Sequence, residues 1–279
     1  MKPAPFDYAA ARDLDHALAL FGEAEGEAKY IAGGQTLGPM LNLRLSQPDR
    51  LIDLGRIDAL RDARSEGDRV VFGAGVRHAE IEDGLLPDPS GGLMPQAAAR
   101  LAYRAIRNRG TLGGSLVHAD PAAEWPNILL ALDATVHLRG LAGAREVRLG
   151  DFQLGYLTTD LAPDEIVASI SIPVLGPTAR WGYHKLCRQP GEFAQSLAVT
   201  VVFGPGRVRC VLGCAGPVPL LLKAVSALAG GVSGWRDDVR TEIAAALETD
   251  LSAAGIAVDA VDLRAHAATV ARSMKDALA

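Results

Sequence analysis

Residues 29–45 read KYIAGGQTLGPMLNLRL, a short apolar run that passes through two adjacent glycines into a segment whose leucines and methionine recur at helical spacing. Beyond them RLIDL, at 50–54, reads as a second strand, so strand, helix and strand succeed one another within about 25 residues. That is a compact βαβ unit with an expected right-handed crossover. Gly33 and Gly34 free the backbone to turn several N–H groups toward one point, and the helix start after them adds its positive end. A turn of this kind holds a phosphate without side-chain charge, which accounts for the absence of a lysine after the glycines. AGGQTLG satisfies neither the G-x-G-x-x-G dinucleotide fingerprint nor the lysine-bearing P-loop.

Upstream, AAARDLDHALALF predicts an amphipathic helix from about Ala9 to Phe21. A second lobe begins near Arg56, where DRVVFGAGVRHAEIED reads as a strand, a Gly-Ala-Gly turn and a helix start. MPQAAARLAYRAI reads as one further helix. ATVHLRG and REVRLGDF read as short strands, and DEIVASISIP as a strand with Ile166, Ala168, Ile170 and Ile172 on one face. The prolines and glycine of PVLGP mark a lobe boundary. Two β-rich runs around Gly204-Pro205-Gly206 then predict a hairpin, with helices after it at about 222–228, 236–247 and 261–278. The expected fold class is α+β: a two-lobed domain, then a small antiparallel sheet covered by helices.

The second lobe repeats the glycine device. RNRGTLGGSLVHADPAAEWPNILLALDA carries Gly113-Gly114 with Ser115 directly after, much as Thr36 stands close behind the first pair. Either pair alone suits a plain turn. Together they suggest two phosphate-type turns in separate lobes closing on one pyrophosphate, the group that joins the halves of a dinucleotide such as FAD.

Composition narrows the alternatives. At 279 residues the chain exceeds a usual single core, and no stretch approaches the roughly 20 uninterrupted apolar residues of a membrane span. The start lacks an uncharged hydrophobic region and a cleavage site, which points to a cytoplasmic protein. A net charge of −5 with dispersed Lys and Arg argues against nucleic acid as a partner. Cys187, Cys210 and Cys214 are too few for an iron–sulfur cluster or a zinc site and are expected as reduced, buried thiols.

Other polar residues have plain readings. His118 beside Asp120 could transfer a proton but packs more simply against a cofactor, and His78 and Glu80 suit a helix cap or the surface. Arg104, Arg107 and Arg109 could meet phosphates, a partner's acidic groups, or solvent at a helix end. Trp125 and Trp181 are expected in a core or an interface.

The runs YIAGGQTLGPMLNLRLSQPDRLIDLGRI, AIRNRGTLGGSLVHADPAAEWPNILLALDATV and YHKLCRQPGEFA, in this order, resemble the FAD-binding medium subunit of the molybdenum hydroxylases, of the carbon monoxide dehydrogenase type. The resemblance spans nearly the whole chain and is weakest over the last 60 or so residues. It implies a PCMH-type FAD-binding domain over 1–175, with subdomains at about 1–55 and 56–175, and a C-terminal flavoprotein domain over 176–279. Ala32, Gly33, Gly34, Gln35 and Thr36 match the family's first pyrophosphate loop, and Thr111, Leu112, Gly113, Gly114 and Ser115 the second. Asp120 matches an acidic position by the ribityl and adenosine portion, and Leu161 lies in the segment bordering the adenine end. Lys185 resembles a lysine near the isoalloxazine, where positive charge would favour the anionic reduced flavin. Phe193 stands where several relatives have tyrosine or tryptophan, and Gln35-Thr36 where histidine or serine is frequent.

By this resemblance the chain is expected to be an oxidoreductase subunit that takes electrons from [2Fe–2S] clusters of a small subunit and passes them to an external acceptor. A large subunit carrying molybdopterin would oxidise the substrate, and the assembly would be a dimer of heterotrimers. A free-standing FAD enzyme with its own substrate pocket is the alternative, and a scaffold subunit without flavin a third.

Overall fold

A computed structural model describes residues 2–232, 234–236 and 238–279. Met1, Ser233 and Asp237, which fall in the expected spans 1–55, 176–279 and 236–247, lie outside the described residues. The chain opens with β1 (Asp7–Ala10), α1 (Leu14–Gly22), β2 (Ala28–Ile31), α2 (Leu37–Asn42) and β3 (Arg50–Asp53). The three strands form a parallel sheet in the order β1-β3-β2, so the expected βαβ unit of β2, α2 and β3 is present.

One element there corrects the sequence reading. The helix expected from Ala9 starts at Leu14, because Asp13 caps it by accepting from the His16 N–H at 2.7 Å. Ala9 and Ala10, good helix formers, instead pair with Ile52 and Asp53 in β1. Pairing with an existing strand outweighs the weak helical preference of two alanines. Similarly, α2 ends at Asn42, short of the expected Leu45.

After a 3₁₀ turn (Asp58–Leu60) come β4 (Ala63–Glu66), β5 (Arg69–Gly73), α3 (His78–Glu82), α4 (Leu93–Arg100), α5 (Arg104–Arg107), α6 (Leu112–His118) and α7 (Glu124–Ala131). Next are β6 (Thr135–Gly140), β7 (Gly143–Arg148), α8 (Leu149–Phe152), β8 (Gln153–Gly155), β9 (Thr158–Thr159) and β10 (Ile166–Pro173). β4, β5, β10, β6 and β7, in that order, form an antiparallel sheet. The single helix expected over MPQAAARLAYRAI is two, since Ala102 adopts φ 43° and breaks it between α4 and α5. REVRLGDF is a strand only to Arg148 and turns helical at Leu149. A bulge between Val167 and Ser169 upsets the alternation expected in β10, so Ile166 and Val167 are both buried while Ala168 is only half-buried.

The remainder comprises β11 (Arg180–Leu186), β12 (Ser196–Gly204), β13 (Arg207–Gly213), β14 (Leu220–Leu221), α9 (Lys223–Gly231), α10 (Val239–Ala253) and α11 (Ala260–Ala277). The four strands are antiparallel in sequence order, and the expected hairpin turns at Pro205-Gly206. Both faces of this sheet are buried. Ala198, Cys210 and Leu212 face a core built from α9, α10 and α11. The alternate residues Leu197, Val199, Val201 and Val211 join the core of the preceding lobes. The partner on that face is α7, all eight residues of which are buried. Gly213 admits the Asn127 side chain of α7, whose Oδ1 would lie 2.6 Å from any Cβ there.

Candidate FAD-binding site

The two glycine turns meet. A Cβ on Gly33 would collide with the Arg109 carbonyl oxygen and lie 2.9 Å from Gly110 Cα, so the first turn rests on the backbone that leads into Thr111. Glycine is required at 33 for that approach, and at 34 for a φ of 70°. Gln35 Nε2 donates to the Gly33 carbonyl at 3.1 Å, and the Gly38 N–H donates to the Gly34 carbonyl at 2.9 Å, starting α2. Among the described residues no protein acceptor receives the backbone N–H groups of residues 32–36. Thr36 makes no side-chain cap bond, so its hydroxyl is also uncommitted. Ala32, Gly33 and Gly34 are half-buried, and Gln35 and Thr36 exposed. Five successive donors at a solvent-facing turn form an anion-binding concavity.

The second turn differs from the sequence expectation. The Leu112 N–H donates to Val76 O at 2.9 Å, the Gly113 N–H to Ala74 O at 2.8 Å and the Gly114 N–H to Thr111 Oγ1 at 3.1 Å. The Ser115 N–H donates to Thr111 O at 3.1 Å. Two of these amides are therefore consumed in docking α6 onto the segment that follows β5, and two in capping α6 from Thr111. Gly113 allows this docking, because a Cβ there would sit 2.9 Å from Ala74 O. Gly114 is exposed and Ser115 half-buried, leaving close approach and a hydroxyl for a ligand.

Beneath this turn lies His78, which is buried rather than a cap or surface group. Glu80 supplies the cap, accepting from the Arg77 N–H at 2.8 Å. The His78 N–H donates to Gly110 O at 3.1 Å, and its Nδ1 accepts from Trp125 Nε1 at 3.0 Å. Indole only donates, so the ring proton of neutral His78 resides on Nε2. Burial, and to a lesser degree the charge of Arg107, lowers the His78 pKa to about 3. The unfolded chain therefore binds a proton at His78 that the folded chain excludes, between about pH 6.5 and 3. Stability is expected to fall as pH falls through that window, with a slope approaching about 1.4 kcal/mol per pH unit from this group. Urea unfolding of wild type and His78→Gln across pH 7 to 4 checks this: the variant, though less stable at neutral pH, should show a shallower decline.

Arg104 and Arg107, two of the three basic residues before the turn, are already paired. Arg107 forms a bidentate pair with Glu82 at 2.7 and 2.8 Å and donates to the carbonyls of Leu101 and Ala102. Arg104 pairs with Glu82 and Asp83. Hydrogen bonds from Arg107 and then Arg104 hold the Glu82 carboxyl below its ordinary range. These cations brace α5 and are not available to phosphate. Arg109 is exposed.

At the far end of α6, Ala119 adopts the left-handed conformation and delivers half-buried Asp120, whose Oδ1 accepts from the Ala122 N–H at 2.8 Å. The Leu157 N–H donates to Ala119 O at 3.2 Å, drawing the 156–161 segment, which includes β9, to the same place, with Leu161 half-buried against the core. His118, half-buried, is the last residue of α6.

Lys185, on β11, is not a free cation. Its Nζ lies 2.7 Å from Glu124 Oε1, and each side chain is only 5% exposed. Glu124, the first residue of α7, is missed by the sequence reading; the available signal is an acidic residue opening an otherwise apolar helix. Burial raises the Glu124 pKa and Lys185 opposes the shift. The same seam holds Tyr183, whose buried hydroxyl has no partner among the described residues, and Cys214, pushed up to about 12 by burial and then by Asp120 and Glu124. Burial also pushes Cys210 up to about 12, so both are inert thiols. Phe193, 66% exposed, lies between β11 and β12. Trp181 donates from Nε1 to Gly91 O at 2.9 Å, tying β11 to the loop before α4.

A family model described as the FAD binding domain in molybdopterin dehydrogenase matches residues 4–175. The chain is 38% identical over 210 residues to the 6-hydroxypseudooxynicotine dehydrogenase complex subunit alpha of Paenarthrobacter nicotinovorans, covering 75% of this chain and 71% of the relative. It is 36% identical over 202 residues to the carbon monoxide dehydrogenase medium chain of Hydrogenophaga pseudoflava, covering 72% and 70%. The solved carbon monoxide dehydrogenase of that organism, in a form lacking the Mo-pyranopterin moiety, superposes with a TM-score of 0.89 at 31% identity over 99% of this chain and 98% of that one. Quinoline 2-oxidoreductase from Pseudomonas putida 86 gives 0.86 at 29% identity over 100% and 98%. The chain belongs to the family of FAD-binding domains of molybdopterin dehydrogenases and is an oxidoreductase subunit of the molybdenum hydroxylase type.

Proposed function

We propose that this chain holds one FAD and serves as the electron-transfer subunit of a heterotrimeric molybdenum hydroxylase. The observation that carries the reading is the unbroken set of uncommitted N–H groups at residues 32–36, wedged against the entry to the second glycine turn. Those N–H groups, with the Thr36 hydroxyl, would bind the pyrophosphate. Thr111, Leu112, Gly113 and Gly114 would shape the opposing wall, with Ser115 adding a hydroxyl. Asp120 keeps one carboxylate oxygen for the hydroxyls of the ribityl and adenosine portion, and Leu161 offers apolar surface to the adenine end. Phe193 would pack on the ring system without hydrogen-bonding to it. Lys185 would lie toward the isoalloxazine. Bound there, FAD supplies redox chemistry that can be entered and left by one or two electrons.

The chain's residues would thus bind and orient the cofactor. With three cysteines it lacks the four thiolates of a [2Fe–2S] cluster, so those clusters belong to a small partner subunit and molybdopterin to a large one. No described helix is long and apolar enough to cross a membrane, and we place the complex in the cytoplasm as a dimer of heterotrimers. Purification from the native source tests this reading. The expected product contains two further subunits, a flavin absorbance overlaid on an iron–sulfur envelope, and FAD on acid release. FAD with no partner would favour the free-standing flavoenzyme, and a colourless chain that could not be reconstituted would overturn FAD binding itself.

A further inference from the structure

Lys185 and Glu124 belong to different parts of the chain, β11 and the first turn of α7, yet their charged atoms lie 2.7 Å apart with both side chains nearly sealed from solvent. A buried ammonium without a partner is strongly disfavoured, and so is a lone buried carboxylate; held together, each makes the other tolerable. Two opposite charges in contact act on their surroundings as a dipole, which reaches much less far than a charge. Two further charges border the seam: half-buried Asp120, bonded to the Ala122 N–H, and Arg100, whose guanidinium carbon lies 5.8 Å from the Tyr183 ring centroid. The buried Tyr183 hydroxyl and the Cys214 thiol stay neutral. The lysine alone suggests a positive charge beside the flavin, whereas the geometry supplies a neutral pair.

We infer that Glu124 is a positioning residue for the redox function: it fixes Lys185 in the seam and cancels its charge, so that the pair rather than the lysine sets the electrostatic field at the flavin ring. This rests on the FAD reading proposed above. It assigns to Glu124 a control over reduction potential that would keep the cofactor from becoming too strong an electron sink for onward transfer.

The test is a dye-equilibrated redox titration of flavin absorbance in the purified FAD-containing complex. In Glu124→Gln the amide still accepts a hydrogen bond while Lys185 keeps an uncompensated charge. Reduced FAD should then bind at least tenfold more tightly relative to oxidised FAD than in wild type, a rise of about 30 mV for a two-electron couple. The double variant Glu124→Gln/Lys185→Gln carries neither charge of the pair and should return to within about threefold of the wild-type ratio. Should the single variant fail to fold, the double variant can still overturn the inference. A neutral pair predicts no change, whereas a lysine acting alone predicts a fall of tenfold or more, and that fall would overturn the inference. A folded Glu124→Gln complex with the wild-type potential would overturn it too. Absence of FAD from the wild-type complex would instead strike at the FAD reading, so the two failures are distinguishable.

Discussion

Gly33→Ala is expected to abolish FAD retention and to destabilise the chain by about 3 kcal/mol, the upper range for forcing a methyl group into a filled space. The added Cβ would meet the Arg109 carbonyl and Gly110 Cα, which are backbone atoms with no rotamer to yield. The first turn would have to move away from the second, opening the pyrophosphate seat and loosening the contact between the lobes. Gly34→Ala is the control. Its Cβ would lie 3.4 Å from Ile31 Cδ1, an ordinary contact, so the cost is that of φ 70° alone, about 1–2 kcal/mol. The fold should survive with weaker FAD binding. Flavin content per protein and thermal unfolding of both variants check this; a Gly33→Ala protein with full flavin and unchanged unfolding would show that the turns do not depend on each other.

The second large effect concerns the C-terminal portion. Removing residues 176–279 is expected to leave a chain that does not fold, although the span before it has its own sheets. The cut would strip Leu197, Val199, Val201 and Val211 from the face of α7 and bare apolar residues of that helix such as Trp125, Ile128 and Leu129, each worth about 1.5–3 kcal/mol when buried. It would also remove Lys185, so the buried pair is lost and Glu124 opens onto water. The apolar sum is comparable to the whole stability of a typical protein, about 5–15 kcal/mol. Circular dichroism and limited proteolysis of the 1–175 fragment read the outcome. A cooperative, protease-resistant fragment would mean that α7 finds other cover. On this expectation the boundary near residue 175 is one of organisation, not of independent folding.

Sequence legibility tracks local chemistry. The βαβ unit, the glycine turn, the hairpin at Pro205-Gly206 and the C-terminal helices can be read because strand and helix periods and turn residues are properties of neighbouring positions. β1 escapes because Ala9 and Ala10 carry helical preference and only a distant strand, β3, overrides it. The closed state of the second glycine turn is invisible for the same reason: the acceptors for Leu112 and Gly113 are carbonyls of Val76 and Ala74, which stand well upstream on the far side of α3, α4 and α5. Glu124 illustrates the limit most clearly. One carboxylate at the start of an apolar helix gives no hint that a lysine 61 residues later will be buried against it.

Hydrogen–deuterium exchange of the chain with and without FAD tests the central claim most directly, because it reads the backbone N–H groups themselves. Unpaired amides at residues 32–36 should exchange quickly in the apo-chain and slow at least about tenfold when FAD binds, while residues 112–115, already bonded, should be protected in both states. Protection gained at 112–115 with no change at 32–36 would contradict the account and move the pyrophosphate to the other turn.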